Sequence, residues 1–198
     1  GIHFVIIECV ASDPVSPFLS LSLSLNVSLR LTSRLSDRAM KLASLHGLQT
    51  AVHGSKRLLG LDVGVKYVGV AVSDPACRIA IPLDVLQLSQ STFSKSAEKL
   101  KSMAKDYNVA GFVIGYPISI AGLRCKQAVK VDNFVAIMRK TEKFEGLLYF
   151  WEDERFTSQV VSSMLKDYEI PRHILKPIVD KFSAVNILQT CLDRMNRL

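Results

Sequence analysis

The sequence predicts an α/β fold in which three antiparallel strands are followed by alternating strands and helices, giving a mixed sheet flanked by helices. Two apolar segments, residues 57–63 and 67–73, are joined by a short turn and are typical of a strand pair. Residues 92–107 have the period of an amphipathic helix. Residues 109–114 are a continuous apolar run, as expected of a central strand. Ligands of such sheets bind at the C-terminal ends of the parallel strands.

The later elements follow from the same rules of periodicity and chain breaking. Gly115-Tyr-Pro117 breaks the central strand at its C-terminal end, and Pro171 begins a loop. After the first strand pair we expect a strand over 78–86, the helix over 92–107, the strand over 109–114, a helix over about 124–141, a strand over 147–151, a helix over 157–168 and a last helix over 178–197.

The composition is that of one globular domain. The chain has 198 residues, of which 48% are hydrophobic and 22% are charged. Its four cysteines are scattered without metal-ligand spacing, which favours reduced thiols over disulfides or a zinc site. No apolar run is long enough to span a membrane. We expect a cytoplasmic protein, with a plastid or another organelle as the alternative.

The formal net charge is +7, and its distribution along the chain is uneven. In residues 1–39 the three arginines balance the three acidic residues, so the whole excess belongs to residues 40–198. A basic domain indicates a polyanionic partner, with nucleic acid first. The alternative is a positive charge that serves solubility alone.

Residues 1–39 are not expected to belong to the domain. A Leu-Ser repeat begins at Leu19, and its period of two is that of a half-buried strand. The segment is also Ser-rich and contains Arg, as targeting peptides do. Translation of a leader, with Met40 as the true start, is the interpretation we favour. Residues 40–56 are then expected to be a flexible, basic lead-in to a domain over 57–198.

The first strand carries a carboxylate, Asp62, among apolar residues. Burying a carboxylate costs several kcal/mol unless it is paired or holds a metal ion. Gly60, Gly64 and Gly69 around it would let another backbone or a phosphate come close. The segment is therefore either a metal- or phosphate-binding strand or a hairpin with an incidental Asp.

Further carboxylates stand at two later element ends. Asp153 and Glu154 stand just after the strand over 147–151, and Asp180 lies in the first turn expected of the last helix. Carboxylates that meet at one sheet edge repel unless cations hold them. Oxygen ligands without His or Cys favour Mg²⁺ or Mn²⁺, and two such ions can activate water against a phosphodiester. The alternative is that each acid caps a helix or complements its dipole.

At these positions the chain resembles the YqgF family of proposed pre-16S rRNA nucleases, also described as Holliday-junction-resolvase-like. The resemblance implies an RNase H-like mixed sheet, a divalent-metal phosphodiesterase and maturation of small-subunit rRNA. By this resemblance Asp62, Glu154 and Asp180 match the proposed catalytic acids, with Asp153 beside them as a further metal ligand. The motifs that carry it are Gly60-Leu-Asp62-Val-Gly64, Gly69-Val-Ala71-Val-Ser-Asp74, Val113-Ile-Gly115-Tyr-Pro117, Asp153-Glu-Arg155-Phe-Thr157, and Asp180 before Ser183-Ala184 and Ile187-Leu-Gln189.

The loop after Pro117 departs from the family pattern, because it is Ile118-Ser-Ile-Ala-Gly122-Leu-Arg124 where the family has an acid and further glycines. The departure puts the choice of substrate in doubt more than the chemistry. Cations near the predicted sheet edge are expected to bind phosphates, whereas the lysines of the helix over 92–107 are expected to form a solvated face. The predicted phosphate-binding residues are Lys66, Arg124, Lys126, Lys130 and Arg155.

Three alternatives to a pre-rRNA nuclease stay open. A Holliday-junction resolvase would act on branched DNA with the same acids. A catalytically silent nucleic-acid-binding module would keep the basic surface without needing all three acids. A sugar-kinase-like ATP-binding protein would need a second Asp-x-Gly strand pair, and Asp62–Gly64 is the only Asp-x-Gly in the chain.

Overall fold

The computed structural model describes residues 39–89, 93–117, 126–153 and 172–198, and for residues 172–177 only the backbone. Arg38–Leu198 form one compact unit, to which all the described elements belong. In chain order these are β1 (Lys41–Leu42), α1 (Leu45–Ala51), β2 (Arg57–Val63), β3 (Tyr67–Ser73), β4 (Ala80–Gln87), α2 (Phe93–Asp106), β5 (Val109–Tyr116), α3 (Lys126–Lys140), β6 (Leu148–Asp153) and α4 (Arg172–Met195).

The described strands form one six-stranded sheet in the order β1-β6-β5-β2-β3-β4. β2, β3 and β4 pair antiparallel, whereas β2, β5, β6 and β1 pair parallel. The predicted mixed sheet of three antiparallel strands followed by parallel ones is therefore confirmed. β5 lies between β2 and β6 and is buried over most of its length, as its continuous apolar sequence predicted.

Strand alternation divides the core into two layers. Leu59 and Leu61 of β2 pack with α2 and α3 on one face of the sheet. Leu58 packs with α4 on the other face. Because side chains two residues apart share a face, Gly60 and Asp62 belong to the face that α4 covers. The period of β2 thus places its carboxylate under the last helix.

The last helix begins earlier than expected, at Arg172 rather than at residue 178. Proline inside a helix costs about 3 kcal/mol, since one hydrogen bond is lost. Pro177 nevertheless lies within α4. The burial of apolar side chains from the rest of α4 against the sheet stabilises the helix and outweighs that cost. Asp180 consequently lies in the third turn of α4 and not in the first, so dipole complementation does not explain its position. The helix expected over 157–168 lies outside the described residues.

The expectation of a flexible lead-in over 40–56 is wrong for most of that segment. β1 pairs parallel with β6, and Met40 and Leu48 are buried in the core. Ser44 caps α1, its Oγ accepting a hydrogen bond from the Gly47 N–H at 3.1 Å. Gln49 Nε2 donates to the Met195 carbonyl at 3.1 Å. A two-residue strand and a seven-residue helix are too short to show a period, which is why the sequence did not reveal them.

Across the described ranges, none of the helices combines the length and apolarity that crossing a membrane requires.

Candidate active site at the C-terminal edge of the sheet

Helix α4 rests on the sheet at two glycines. A Cβ at Gly69 would lie 1.9 Å from the Asp180 carbonyl oxygen, and one at Gly60 would lie 2.7 Å from the Ala184 carbonyl oxygen. No side chain other than hydrogen fits at either position. A Cβ at Gly64 would meet the Tyr67 carbonyl oxygen at 2.8 Å. The prediction that these glycines permit a close backbone approach is confirmed.

The contact at Gly69 brings two of the predicted acids together. Asp62 of β2 is the register partner of Gly69 on β3, and the Asp180 backbone lies directly against Gly69. Paired residues on neighbouring strands are separated by about 5 Å. Asp62 and Asp180 are both buried, with 6% and 1% of their surfaces exposed. Two segments more than a hundred residues apart in the chain therefore place carboxylates in the same layer between α4 and the sheet.

The end of β6 carries a buried acid that the sequence interpretation missed. Glu152 of β6 is the register partner of Gly115 on β5. The register between β2 and β5 pairs Leu61 with Ile114, so the next position along places Asp62 beside Gly115. Glu152 thus lies level with Asp62 on the α4 face, two strands away, which is roughly 10 Å at the backbone. No side chain separates them, because Gly115 stands between. The sequence interpretation ended this strand at Trp151. Had the strand been continued by one residue, alternation would have placed the charged Glu152 at a buried position and marked it as a candidate.

Glu152 is held by a cation from α4. Arg194 Nη1 lies 2.7 Å from Glu152 Oε1, and the guanidinium carbon lies 5.9 Å from the centroid of the Phe150 ring. Glu152 Oε2 is buried without a hydrogen bond in the described part of the chain. Burial raises the pKa of Glu152, an effect that the hydrogen bond and charge of Arg194 oppose. Burial likewise raises the pKa of Cys191 to about 12, so this thiol stays protonated and inert.

Asp153, the other predicted acid of this segment, is the last residue of β6. It pairs in register with Tyr116 and follows Tyr149 and Trp151, which pack with the α2 and α3 layer. Alternation along β6 therefore puts Asp153 on the face opposite Asp62. Glu154 and Arg155 lie outside the described residues. The assignment of Asp153 and Glu154 to a metal site stays a prediction.

The donors brought together suit a hard divalent cation. Within the described ranges, no group of three His, Cys, Asp or Glu side chains is assembled closely enough to hold a metal ion. Mg²⁺, however, is commonly held by one or two carboxylates together with water and substrate phosphates. Asp62 and Asp180 are both buried, and each also interacts with other residues of the chain. The pair of Asp62 and Asp180 therefore fits the protein's share of such a site.

Predicted phosphate-binding cations lie at the same sheet edge. Gln127 Nε2 donates to the Val63 carbonyl at 2.6 Å and so ties the start of α3 to the residue after Asp62. Lys126 and Lys130 are exposed near this tie, and Lys66 is exposed in the β2–β3 turn. Arg124 lies outside the described residues.

The lysines of α2, which were expected to form a solvated face, are weaker candidates for phosphate binding. Lys99 of α2 pairs with Asp84 of β4, Nζ to Oδ2, at 2.5 Å. Lys95 is exposed on the same helix. A lysine engaged with a carboxylate is a weaker candidate for phosphate binding than one without such a pair.

Comparison with known proteins identifies relatives over most of the chain. The family model described as "RuvX: Holliday junction resolvase" matches residues 56–194. A protein of Rhodospirillum centenum described as "Putative pre-16S rRNA nuclease" is 30% identical over 161 residues, covering 80% of this chain and 84% of its own. One of Nitrobacter hamburgensis with the same description is 36% identical over 151 residues, covering 75% and 89%. The solved structure "T. thermophilus RuvC in complex with Holliday junction substrate" gives a TM-score of 0.42 at 13% identity, covering 71% of this chain and 96% of that one.

Proposed function

The chain belongs to the RuvX (YqgF) family, and from this premise we propose that it is a metal-dependent nuclease that hydrolyses phosphodiester bonds of structured nucleic acid. The observation that carries the proposal is the contact between Asp180 and Gly69, the register partner of Asp62. Two buried carboxylates in one layer supply the oxygen ligands that a hard divalent cation prefers. A cation site at a basic sheet edge is what hydrolysis of a polyanion needs.

The acids of the candidate site and Arg194 each have a defined task in that mechanism. Asp62 and Asp180 would hold Mg²⁺ or Mn²⁺, with Glu154 as the third acid. The ion, when bound, supplies an activated water and stabilisation of the leaving oxygen. Glu152 and Arg194 fasten the end of β6 to α4, and so they orient the segment that leads to Glu154. Burial under α4 excludes bulk water and strengthens the electrostatic interactions among these groups.

We place the small-subunit pre-rRNA first among substrates, because the relatives that match most of this chain are described as pre-16S rRNA nucleases. A four-way DNA junction is the second candidate, since the family model is described as a Holliday junction resolvase. Lys66, Lys126 and Lys130 would position either substrate by its phosphates without reading its sequence. The departure of the loop over 118–124 from the family pattern bears on this choice of substrate.

The test is cleavage of a labelled pre-rRNA fragment and of a labelled four-way junction, each with and without Mg²⁺. We expect Mg²⁺-dependent cleavage of the pre-rRNA fragment, which Asp62→Asn and Asp180→Asn abolish. Asp106→Asn removes an exposed carboxylate at the end of α2 and is the matched control. Cleavage that persists in the Asp62 and Asp180 variants would refute the assignment of these acids. Binding of both substrates without any cleavage would leave the catalytically silent module as the better description.

A second test concerns how the substrate is held. Each phosphate contact releases counterions, so replacing Arg124 and Lys126 together by Ala should weaken binding and flatten the slope of log K against log salt by roughly one to two units. The control is replacement of Lys95 and Lys99, the second of which is paired with Asp84. The placement of the nucleic-acid path is wrong if the control pair changes the slope and the Arg124–Lys126 pair does not.

A further inference from the structure

A pocket of about 520 Å³ opens beside the candidate active site, and among its lining residues only Lys130 has been given a task in binding the substrate. It lies between the β2–β3 turn, the segment after β4, the start of α2 and the exposed side of α3. Its volume is within the range of roughly 300–1,000 Å³ that is typical of pockets for small organic ligands.

The pocket and the acids flank the same turn. Gly64 lines the pocket and is two residues after Asp62, so their Cα atoms are at most about 7 Å apart. The acids lie on the α4 face of the sheet, and the pocket lies on the α3 face. A nucleic-acid strand whose phosphate sits at the acids would cross the β2–β3 turn at Lys66 and reach the pocket with a neighbouring nucleotide.

The lining combines apolar walls with a few polar groups. Phe93 and Phe134 line it and form an edge-to-face pair with centroids 6.1 Å apart. Val65 and Ile137 line it and are 62% and 44% exposed, so both present apolar surface to the pocket. Asn133 supplies an amide that both donates and accepts hydrogen bonds. These features suit a flat ligand with apolar faces and polar edges.

The charge of the pocket restricts the ligand further. Lys130 lines it, and no acidic residue is among the described residues of the lining. Lys66 and Lys126 are exposed on its two flanks, in the turn next to Val65 and one helical turn before Lys130. A nucleobase attached to a phosphate backbone matches both the apolar walls and the positive surroundings.

We propose that this pocket binds an unpaired base of the nucleic-acid substrate, adjacent to the phosphate at Asp62 and Asp180. The inference rests on the proposed function, because it needs a nucleic acid at that edge. Apolar walls hold the base by its faces, Asn133 contacts its edge, and Lys130 contacts the adjoining phosphate. The pocket would thus select substrates that present a single-stranded nucleotide next to the bond that is cut.

The experiment measures binding of two probes of equal charge to the full chain: a fluorescent uridine octamer and the same octamer without bases. Wild type should bind the octamer with bases about tenfold more tightly, as expected for one base bound by stacking and apolar contact. Ile137→Ser and Asn133→Ala should reduce that ratio several-fold and leave the salt slope unchanged. Val129→Ser is the matched control, because Val129 is 45% exposed on the same helix and does not line the pocket.

The outcomes separate this inference from the proposed function. Equal affinity of wild type for the two octamers would overturn the base pocket, and so would a ratio that is unchanged in the Ile137 and Asn133 variants. Cleavage of the pre-rRNA fragment would still be observed in that case, since it depends on the acids. A protein that binds neither octamer and cleaves neither substrate would overturn both proposals.

Discussion

Replacing Gly69 by Ala tests whether the contact between β3 and α4 sets the geometry of the candidate site. The added Cβ would lie 1.9 Å from the Asp180 carbonyl oxygen and 2.5 Å from its carbonyl carbon. Both atoms belong to backbone, so no side-chain rotation relieves the clash. Contact distances between such atoms exceed 3 Å, and α4 must therefore move away from the sheet by roughly 1 Å or more.

Two effects of different size follow from that displacement. Overpacking of this kind costs about 1–3 kcal/mol of folding free energy. A misplacement of 1 Å between catalytic groups lowers the rate about a hundredfold. We therefore expect Gly69→Ala to remain folded while cleaving its substrate about a hundred times more slowly and binding Mg²⁺ more weakly.

The assay combines urea unfolding with single-turnover cleavage at a protein concentration corrected for the folded fraction. Gly111→Ala is the control, because its Cβ would meet a backbone oxygen, that of Leu148, at 2.8 Å in the β5–β6 pair. It should lose less stability than Gly69→Ala, because its clash is milder, and it should keep its rate per folded molecule. Wild-type cleavage by Gly69→Ala, or an equal loss of rate in both variants, would refute the role assigned to this contact.

Three further predictions concern stability. A chain starting at Met40 should fold as stably as the full chain. A chain starting at position 53 lacks β1 and α1 and should lose several kcal/mol of unfolding free energy in urea, because each buried large apolar side chain removed costs about 2–5 kcal/mol. Equal stability of the two shortened chains would contradict this. Burial raises the folded-state pKa of Glu152, so the ionised carboxylate destabilises the fold. This effect is absent below the unfolded-state pKa and develops as pH rises through the folded-state pKa. In a plot of unfolding free energy against pH, Glu152→Gln should flatten that pH range and Arg194→Met should steepen it. Burial acts to raise the pKa of Asp74, but hydrogen bonds from backbone N–H groups, including that of Ile79 at 2.8 Å, outweigh it and lower the pKa. Asp74→Ala should therefore destabilise the protein at neutral pH, by a loss that becomes smaller as pH falls through the folded pKa, and a loss that does not depend on pH would contradict this.

The first strand pair shows what the sequence predicts well. β2 and β3 have the bounds expected from their apolar runs, and the roles of Gly60 and Gly69 followed from their lack of a side chain. Such features depend on period and steric size, which are local properties. Gln189 was noted only as part of a family motif, and the motif did not indicate what the side chain does. In the structure its side chain accepts a hydrogen bond from the Ala80 N–H at 2.8 Å and donates one to the Arg78 carbonyl at 2.9 Å, and so it ties α4 to the β3–β4 turn.

Features that depend on tertiary packing were not predictable from the sequence. The last helix was expected to begin at residue 178 but begins at Arg172, because the contacts of α4 with the sheet that stabilise it are non-local. The partner of Glu152 is Arg194, forty-two residues later, and no sequence pattern links them. The face on which Asp153 lies was not predicted, because the strand was expected to end at residue 151, two residues before the end of β6.

The most direct test of the central claim, that Asp62 and Asp180 share one metal site, is calorimetric titration of Mg²⁺ and Mn²⁺ together with melting temperatures. Wild type should bind the ion saturably and gain roughly 2.7 kcal/mol of stability at a hundredfold excess over Kd, because the ion binds only the folded state. Asp62→Asn and Asp180→Asn should each abolish both effects, and Asp106→Asn should abolish neither. Wild-type binding and stabilisation in either of the first two variants would contradict the shared site.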